Sequence, residues 1–188
     1  QGIFGIGGEA RGDLEIVSGS RDSELTIEDI KESHSGKIIV GGSFIGIDAY
    51  KKALELKVRG IVVGGFNYYD LEEVLGYRLG VAITGTENLE TSLVVTEGYG
   101  NIKMSERTYN LLKLHDGKFV SINGATQIRA GVIRPEIVIP LEKSEISDVI
   151  DAKERNLGME IDSLVRVIRA PFFGKIGKVV CIPPDLKR

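Results

Sequence analysis

The stretch Gly36-Lys37-Ile38-Ile39-Val40-Gly41-Gly42-Ser43-Phe44-Ile45-Gly46 limits the fold more than any other part of this chain. Its continuous β-branched run suits a strand buried on both faces. The Gly-Gly-Ser turn leads straight into Ile47, Tyr50, Leu54 and Val58 at helical spacing, with Asp48 in the first turn, where a negative charge suits the helix dipole. The pattern recurs at Gly60-Ile61-Val62-Val63-Gly64-Gly65, after which Asn67 or Asp70 caps a helix through Leu71, Val74 and Leu75 that stops at Gly76. Residues 81–83, 93–95, 119–122 and 137–139 read as further strands. Ser105 with Glu106 opens a helix that carries Tyr109, Leu111, Leu112 and Leu114 and ends at Gly117. Strand–helix–strand alternation of this kind predicts an α/β fold built on a mostly parallel sheet with right-handed crossovers. One joint resists. About nine residues separate Ile83 from Leu93, short for a helical crossover, so that pair is antiparallel or joined by one turn around residues 86–89.

Four segments follow from the change of pattern along the chain. Residues 1–35 form a glycine-rich β arm, with Gly2, Gly5, Gly7, Gly8 and Gly12 ahead of one arm of a hairpin near Leu14, and then a short capped turn at 26–30. Gly5-Ile6-Gly7-Gly8 is not a dinucleotide fingerprint, because more strand-like sequence follows it instead of a helix. Residues 36–140 form the α/β sheet domain. Residues 141–160 form a connecting helix capped by Ser144, with Ile146, Val149, Ile150 and Leu157 on one face and Gly158 at its stop. Residues 161–188 are a β-hairpin. With no initiator Met and no evident stop after Asp185-Leu186-Lys187-Arg188, the chain reads as part of a longer protein.

Composition narrows the function classes. A chain of 188 residues with 42% hydrophobic and 27% charged residues is a globular type. No apolar run reaches the ~20 residues of a membrane helix. The single cysteine, Cys181, excludes an intramolecular disulfide and favours a reducing compartment, so a cytoplasmic location is expected. Cys181 itself, in an apolar strand, reads as a buried small hydrophobe. Net charge is −3, but from Val165 onward there are six basic residues against one acid. Such a tail is a binding patch, or it meets partner residues elsewhere.

In open α/β sheets ligands bind outside the carboxyl ends of the strands. If the five runs are parallel, their ends gather Gly41, Gly42, Ser43, Gly64, Gly65, Asn67, Thr84, Thr86, Thr96, Asn123 and Thr126, with Arg129 close behind. Gly42-Ser43 at a helix start presents backbone N–H groups suited to a phosphate or carboxylate. The expected function is therefore a binding module for a small anionic or nucleotide-like ligand. An acid–base enzyme is the alternative on this rim, with Glu87 and Glu97 as its paired carboxylates; helix capping is their structural reading. Tyr68, Tyr69 and Phe66 form an aromatic group suited to packing or to stacking on a planar ligand. His34 and His115 fit no metal-ligand spacing, no cofactor motif is present, and homo-oligomerisation is left open.

The C-terminal segment has its own logic. Leu164-Val165-Arg166-Val167-Ile168-Arg169 is a strand, residues 171–177 a turn with Gly174 and Gly177, and residues 179–182 a returning strand. The Val-Arg-Val entry, the Pro-Phe turn, Gly174-x-x-Gly177 and the returning Val179 resemble the KOW motif of NusG-type transcription factors and several ribosomal proteins. That resemblance covers about 20 residues. It implies the core of an SH3-like barrel that binds RNA or ribosomal and transcription proteins, with Arg166, Arg169, Lys175 and Lys178 as nucleic-acid candidates. Such a barrel needs further strands, so it is completed by sequence outside this chain, or the hairpin packs on the α/β body. The remainder resembles a bacterial protein family that brings no activity with it.

Overall fold

The computed structural model describes residues 1–77, 84–85, 89–127, 132–141, 161–169 and 171–182. The chain divides into two compact units, Gln1–Pro140 and Leu141–Arg188.

The first unit is mixed α/β. Its strands are β1 (Phe4–Ile6), β2 (Glu9–Ile16), β3 (Glu24–Leu25), β4 (Ile38–Val40), β5 (Phe44–Ile45), β6 (Gly60–Phe66), β7 (Ser92–Tyr99), β8 (Phe119–Asn123) and β9 (Glu136–Val138); its α-helices are α1 (Ile47–Glu55), α2 (Tyr68–Leu75) and α3 (Glu106–Leu114). Seven strands follow the order β1-β7-β6-β4-β2-β8-β9; off this path β5 pairs with β6, and β3 with β5. The centre β2-β4-β6-β7 is parallel. β1 pairs antiparallel with β7, and β8 antiparallel with both β2 and β9.

The buried runs explain this order. In β4, β6 and β7 alternate residues sort onto two faces, as the period of two in a strand requires. Ile39, Ile61, Val63, Leu93 and Val95 pack with Ala49, Tyr50 and Ala53 of α1 and Leu71 of α2. Ile38, Val40, Val62 and Val94 pack on the other face with Tyr109 and Leu112 of α3 and with Val120 and Ile122 of β8. With both faces covered, these strands need no polar alternation. The sheet is curled, and chain beyond β8 returns to β1: Gly2 N donates to Pro135 O (2.7 Å), Gly5 N to Thr126 Oγ1 (2.9 Å) and Gly124 N to Gly8 O (3.4 Å).

Two of the helices are capped as their sequences dictate. Asn67 Oδ1 accepts from Tyr69 N (3.1 Å) to cap α2, and Gly76 closes it in the left-handed region at φ 73°. Ser105 Oγ accepts from Thr108 N (3.3 Å) at the start of α3. α1 ends earlier than the apolar spacing suggests. Lys57 takes φ 58°, Lys57 N donates to Leu54 O and Val58 N to Ala53 O, so Val58 is the buried residue after a Schellman turn and not part of the helix.

Two expectations are corrected. Residues 1–35 are not a separate arm. β1 and β2 do not pair with each other; each joins the main sheet, β2 between β4 and β8, because Phe4, Ile6 and Leu14 enter the two cores. Residues 119–123 run antiparallel to their neighbour β2, not parallel. The strand at 93–95 lies parallel to β6, with α2 in the crossover between them. The strand expected at 81–83 and the helix expected across 144–158 lie outside the described residues.

In the second unit the described residues form an antiparallel hairpin of β10 (Leu164–Arg166) and β11 (Ile176–Lys178), with Val165 opposite Gly177. Val167 N donates to Lys175 O (2.9 Å) and Gly174 N to Val167 O (2.8 Å), with Gly174 at φ 80° in the turn. Cys181 lies beyond β11 and is exposed, contrary to expectation, because the returning strand ends at Lys178.

Candidate functional site

The strand directions divide the expected rim in two. The carboxyl ends of β4, β6 and β7 hold Gly41, Gly42, Ser43, Gly64, Gly65, Asn67, Thr96 and Glu97. Because β8 is antiparallel, Asn123 lies opposite Glu9 at the start of β2, so Asn123 and Thr126 belong to the other end of the sheet. Thr84 joins Thr126 there. Thr84 Oγ1 donates to Gly5 O (2.7 Å) and accepts from Thr126 N (2.9 Å), while Thr126 Oγ1 accepts from Gly5 N (2.9 Å). These buried threonines tie the edge strand β1 to the loop after β8 and leave the backbone satisfied. Asn123 Oδ1 accepts from Ala125 N (2.9 Å) and shapes the same turn. Thr86, Glu87 and Arg129 lie outside the described residues.

The carboxyl ends are covered by the chain's own loops. Ser43 is 2% exposed; its N–H donates to Ser23 O (2.9 Å) and its hydroxyl to Asp22 O (2.9 Å). The groups expected to meet an anion are thus spent on the loop before β3. Gly42 is glycine because a Cβ would strike the carbonyls of Ser20 and Ser23. Gly64 and Gly65 lie within β6, and a Cβ at either would strike the backbone of the segment from Gly100 to Met104. Gly41 faces Val63 and Leu25. Close packing accounts for all four glycines, against backbone at Gly42, Gly64 and Gly65 and against side chains at Gly41.

Glu97 sits on an irregularity of β7. Val63 pairs with Val95 but Gly65 with Gly98, so β7 carries one extra residue between the pairs. The bulge buries Thr96 and Glu97 together. Glu97 is 3% exposed, and its Oε1 accepts from Ser105 N (2.9 Å) and Thr96 Oγ1 (3.3 Å). A carboxylate at the first N–H groups of α3 is favoured by the helix dipole. Its observed role is to fix the start of α3. Of the aromatic group, Phe66 is core, whereas Tyr68 stands edge-on to both Tyr69 (6.0 Å) and Tyr99 (5.4 Å). Burial pushes the Tyr99 phenol up to about 12, with Tyr68 adding to the shift.

One charged cluster has no signal in the sequence. His34 is 4% exposed; its Nδ1 accepts from Lys31 N (3.2 Å) and its Nε2 faces Glu15 Oε1 (3.6 Å). Lys37 Nζ holds the other oxygen of Glu15 at 2.7 Å. Burial lowers the His34 pKa below 6.5, partly opposed by Glu15. Only the parallel pairing of β2 with β4 brings these residues together. Among the described residues no group of three His, Cys, Asp or Glu side chains is placed to hold a metal ion, and no helix is long and apolar enough to cross a membrane.

The hairpin of the second unit gathers the other candidates. Among its described residues Arg166, Arg169, Lys175 and Lys178 stand against one acid, Asp162, which Lys178 Nζ meets at 3.5 Å. The Arg166 guanidinium carbon lies 5.9 Å from the ring centre of Phe173, and Lys175 Nζ lies 5.3 Å from that of Phe172. The register explains one contact: Arg166 opposes Ile176, and the turn folds Phe173 back toward Arg166. Phe172 and Phe173 were absent from the sequence-based site. Their signal was present in the Pro-Phe-Phe-Gly turn between two basic strands.

No family model, curated protein or solved structure matches this chain.

Proposed function

We propose that this chain is a nucleic-acid-contacting module that works through its C-terminal hairpin. One observation carries the reading: a short hairpin concentrates four cations against one acid, beside exposed aromatic rings, on a chain whose net charge is −3. Positive charge concentrated in this way is the electrostatic footprint of a phosphate-backbone partner. The resemblance to a KOW motif points the same way and carries with it an SH3-like setting for the hairpin, and the single cysteine favours a cytoplasmic location. The small-ligand reading has less support, because Ser43 gives both its donors to residues 22 and 23.

Binding of labelled RNA to the full chain, measured by anisotropy across a salt series, tests the reading. Each phosphate contact on a single strand contributes about 0.7 to the log–log salt slope through counterion release. Arg169→Ala and Lys178→Ala should each reduce the slope by about that amount and weaken all sequences alike. Absent or salt-independent binding would end the proposal.

A further inference from the structure

We infer that the hairpin takes a single-stranded nucleic acid, with bases stacked on Phe172 and Phe173; the inference rests on the reading above and names the substrate form it prefers. Phe172 and Phe173 are 56% and 37% exposed, beyond what core packing needs. Each ring has a cation over it, Lys175 on Phe172 and Arg166 on Phe173. A cation placed so attracts the ring's electron-rich face and holds the ring in place. It also puts a positive charge within a few ångströms of the ring, where a nucleotide stacked on that ring carries its phosphate.

The backbone prepares the same arrangement. Lys175 N donates to Phe172 O (3.0 Å), and Gly174 at φ 80° turns the chain so that the two phenylalanines sit at the tip, not within a strand. Rings displayed at a tip reach unpaired bases. They do not reach bases inside an A-form duplex, whose deep major groove is closed to side chains and whose bases already stack on one another. Aromatic platforms lining a basic track are the general solution for single strands. The same rings and charges could meet an anionic lipid surface instead. Charge complementarity with a phosphate backbone favours the nucleic acid: four cations share the hairpin with two rings, the combination that binds single strands.

The test measures the full chain against a short single-stranded RNA, a blunt-ended duplex of the same length with no unpaired bases, and vesicles of phosphatidylserine and phosphatidylcholine. The single strand should bind more tightly than the duplex. Phe172→Ala and Phe173→Ala should each weaken the single strand roughly 5- to 150-fold, the range for loss of one stacked base, with an unchanged salt slope. Phe→Tyr at either position should restore binding and Phe→Leu should not, since only an aromatic face stacks. A circular-dichroism melt of each variant checks folding, which these exposed positions should not alter. Equal binding of single strand and duplex, with Phe→Leu neutral, overturns the stacking inference while leaving the nucleic-acid reading intact. No binding of either RNA by the parent chain overturns both. Tighter capture by vesicles than by RNA, lost in Phe→Ala, reassigns the hairpin to a lipid surface and also overturns the inference.

Discussion

His34 illustrates how much one buried side chain can demand of its surroundings. Its imidazole is enclosed, its Nδ1 is committed to Lys31 N–H, and its Nε2 points to a Glu15 carboxylate already shared with Lys37. Because burial lowers its pKa below 6.5, the unfolded chain takes up the proton first as pH falls. The stability that neutral His34 contributes is therefore complete above about 6.5 and is lost as pH drops toward the folded pKa. Urea titrations through that range should show the parent chain losing stability on acidification and His34→Asn losing less, since Asn keeps an acceptor for Lys31 N–H but does not titrate. Lys57 offers the opposite case. An exposed lysine sits at φ 58°, where an L-residue costs roughly 1–2 kcal/mol and glycine does not. Lys57→Gly relieves that strain but frees the unfolded chain by about 0.4–1 kcal/mol. A net gain of about 0.5–1 kcal/mol should appear as a higher urea midpoint with the same m-value.

At the scale of elements, the two Gly-Gly pairs carry the lesson of the first unit. They recur because loops cross closely over the ends of β4 and β6, and a Cβ at Gly64 would run into the backbone of Ile102 and Met104. Gly64→Ala should cost about 1–3 kcal/mol through overpacking. Chemical denaturation would read that loss, and a change within error would mean the loop at residues 100–104 lifts easily from the strand. The bulge at Thr96 and Glu97 belongs to the same junction. It buries both side chains and lets Glu97, bonded by the Thr96 hydroxyl, hold the helix start. At Gly42, Ser43, Gly64 and Gly65 the strand ends pack against residues 20–23 and 100–104.

At the scale of the whole molecule, the two units can be separated experimentally. The first holds both hydrophobic cores within residues 1–140. Expressed alone, it should unfold in one cooperative transition at close to the midpoint of the full chain. RNA binding should disappear with the hairpin. A broad, non-cooperative transition would show that residues 141–188 contribute to the first core, and retained RNA binding would move the contact surface away from the hairpin.

Local chemistry was legible where a residue's role depends on its chain neighbours. The sequence alone placed the start of the helix at 47, the Ser105 cap, the Gly76 stop, the buried strand runs at 38–40, 61–63 and 93–95 and the tight turn at Gly174, and narrowed the α2 cap to Asn67 or Asp70, because capping, turn formation and side-chain period act within a few residues. The tertiary structure alone decided which strands are neighbours and which way they run. Asn123 and Thr126 were sorted with Ser43 by composition, and the antiparallel pairing of β8 with β2 moved them to the opposite end of the sheet. Gly42 and Ser43 carried the pattern of an anion-binding turn, yet only long-range packing shows that residues 20–23 occupy it. Strand order arises from contacts between residues far apart in the chain, summed over two curled faces, and no local pattern records that sum. The hairpin's Phe–cation pairs lie between the two cases: Lys175 follows Phe172 by three residues and Phe173 follows Arg166 by seven, but the turn that points the rings outward is a matter of fold.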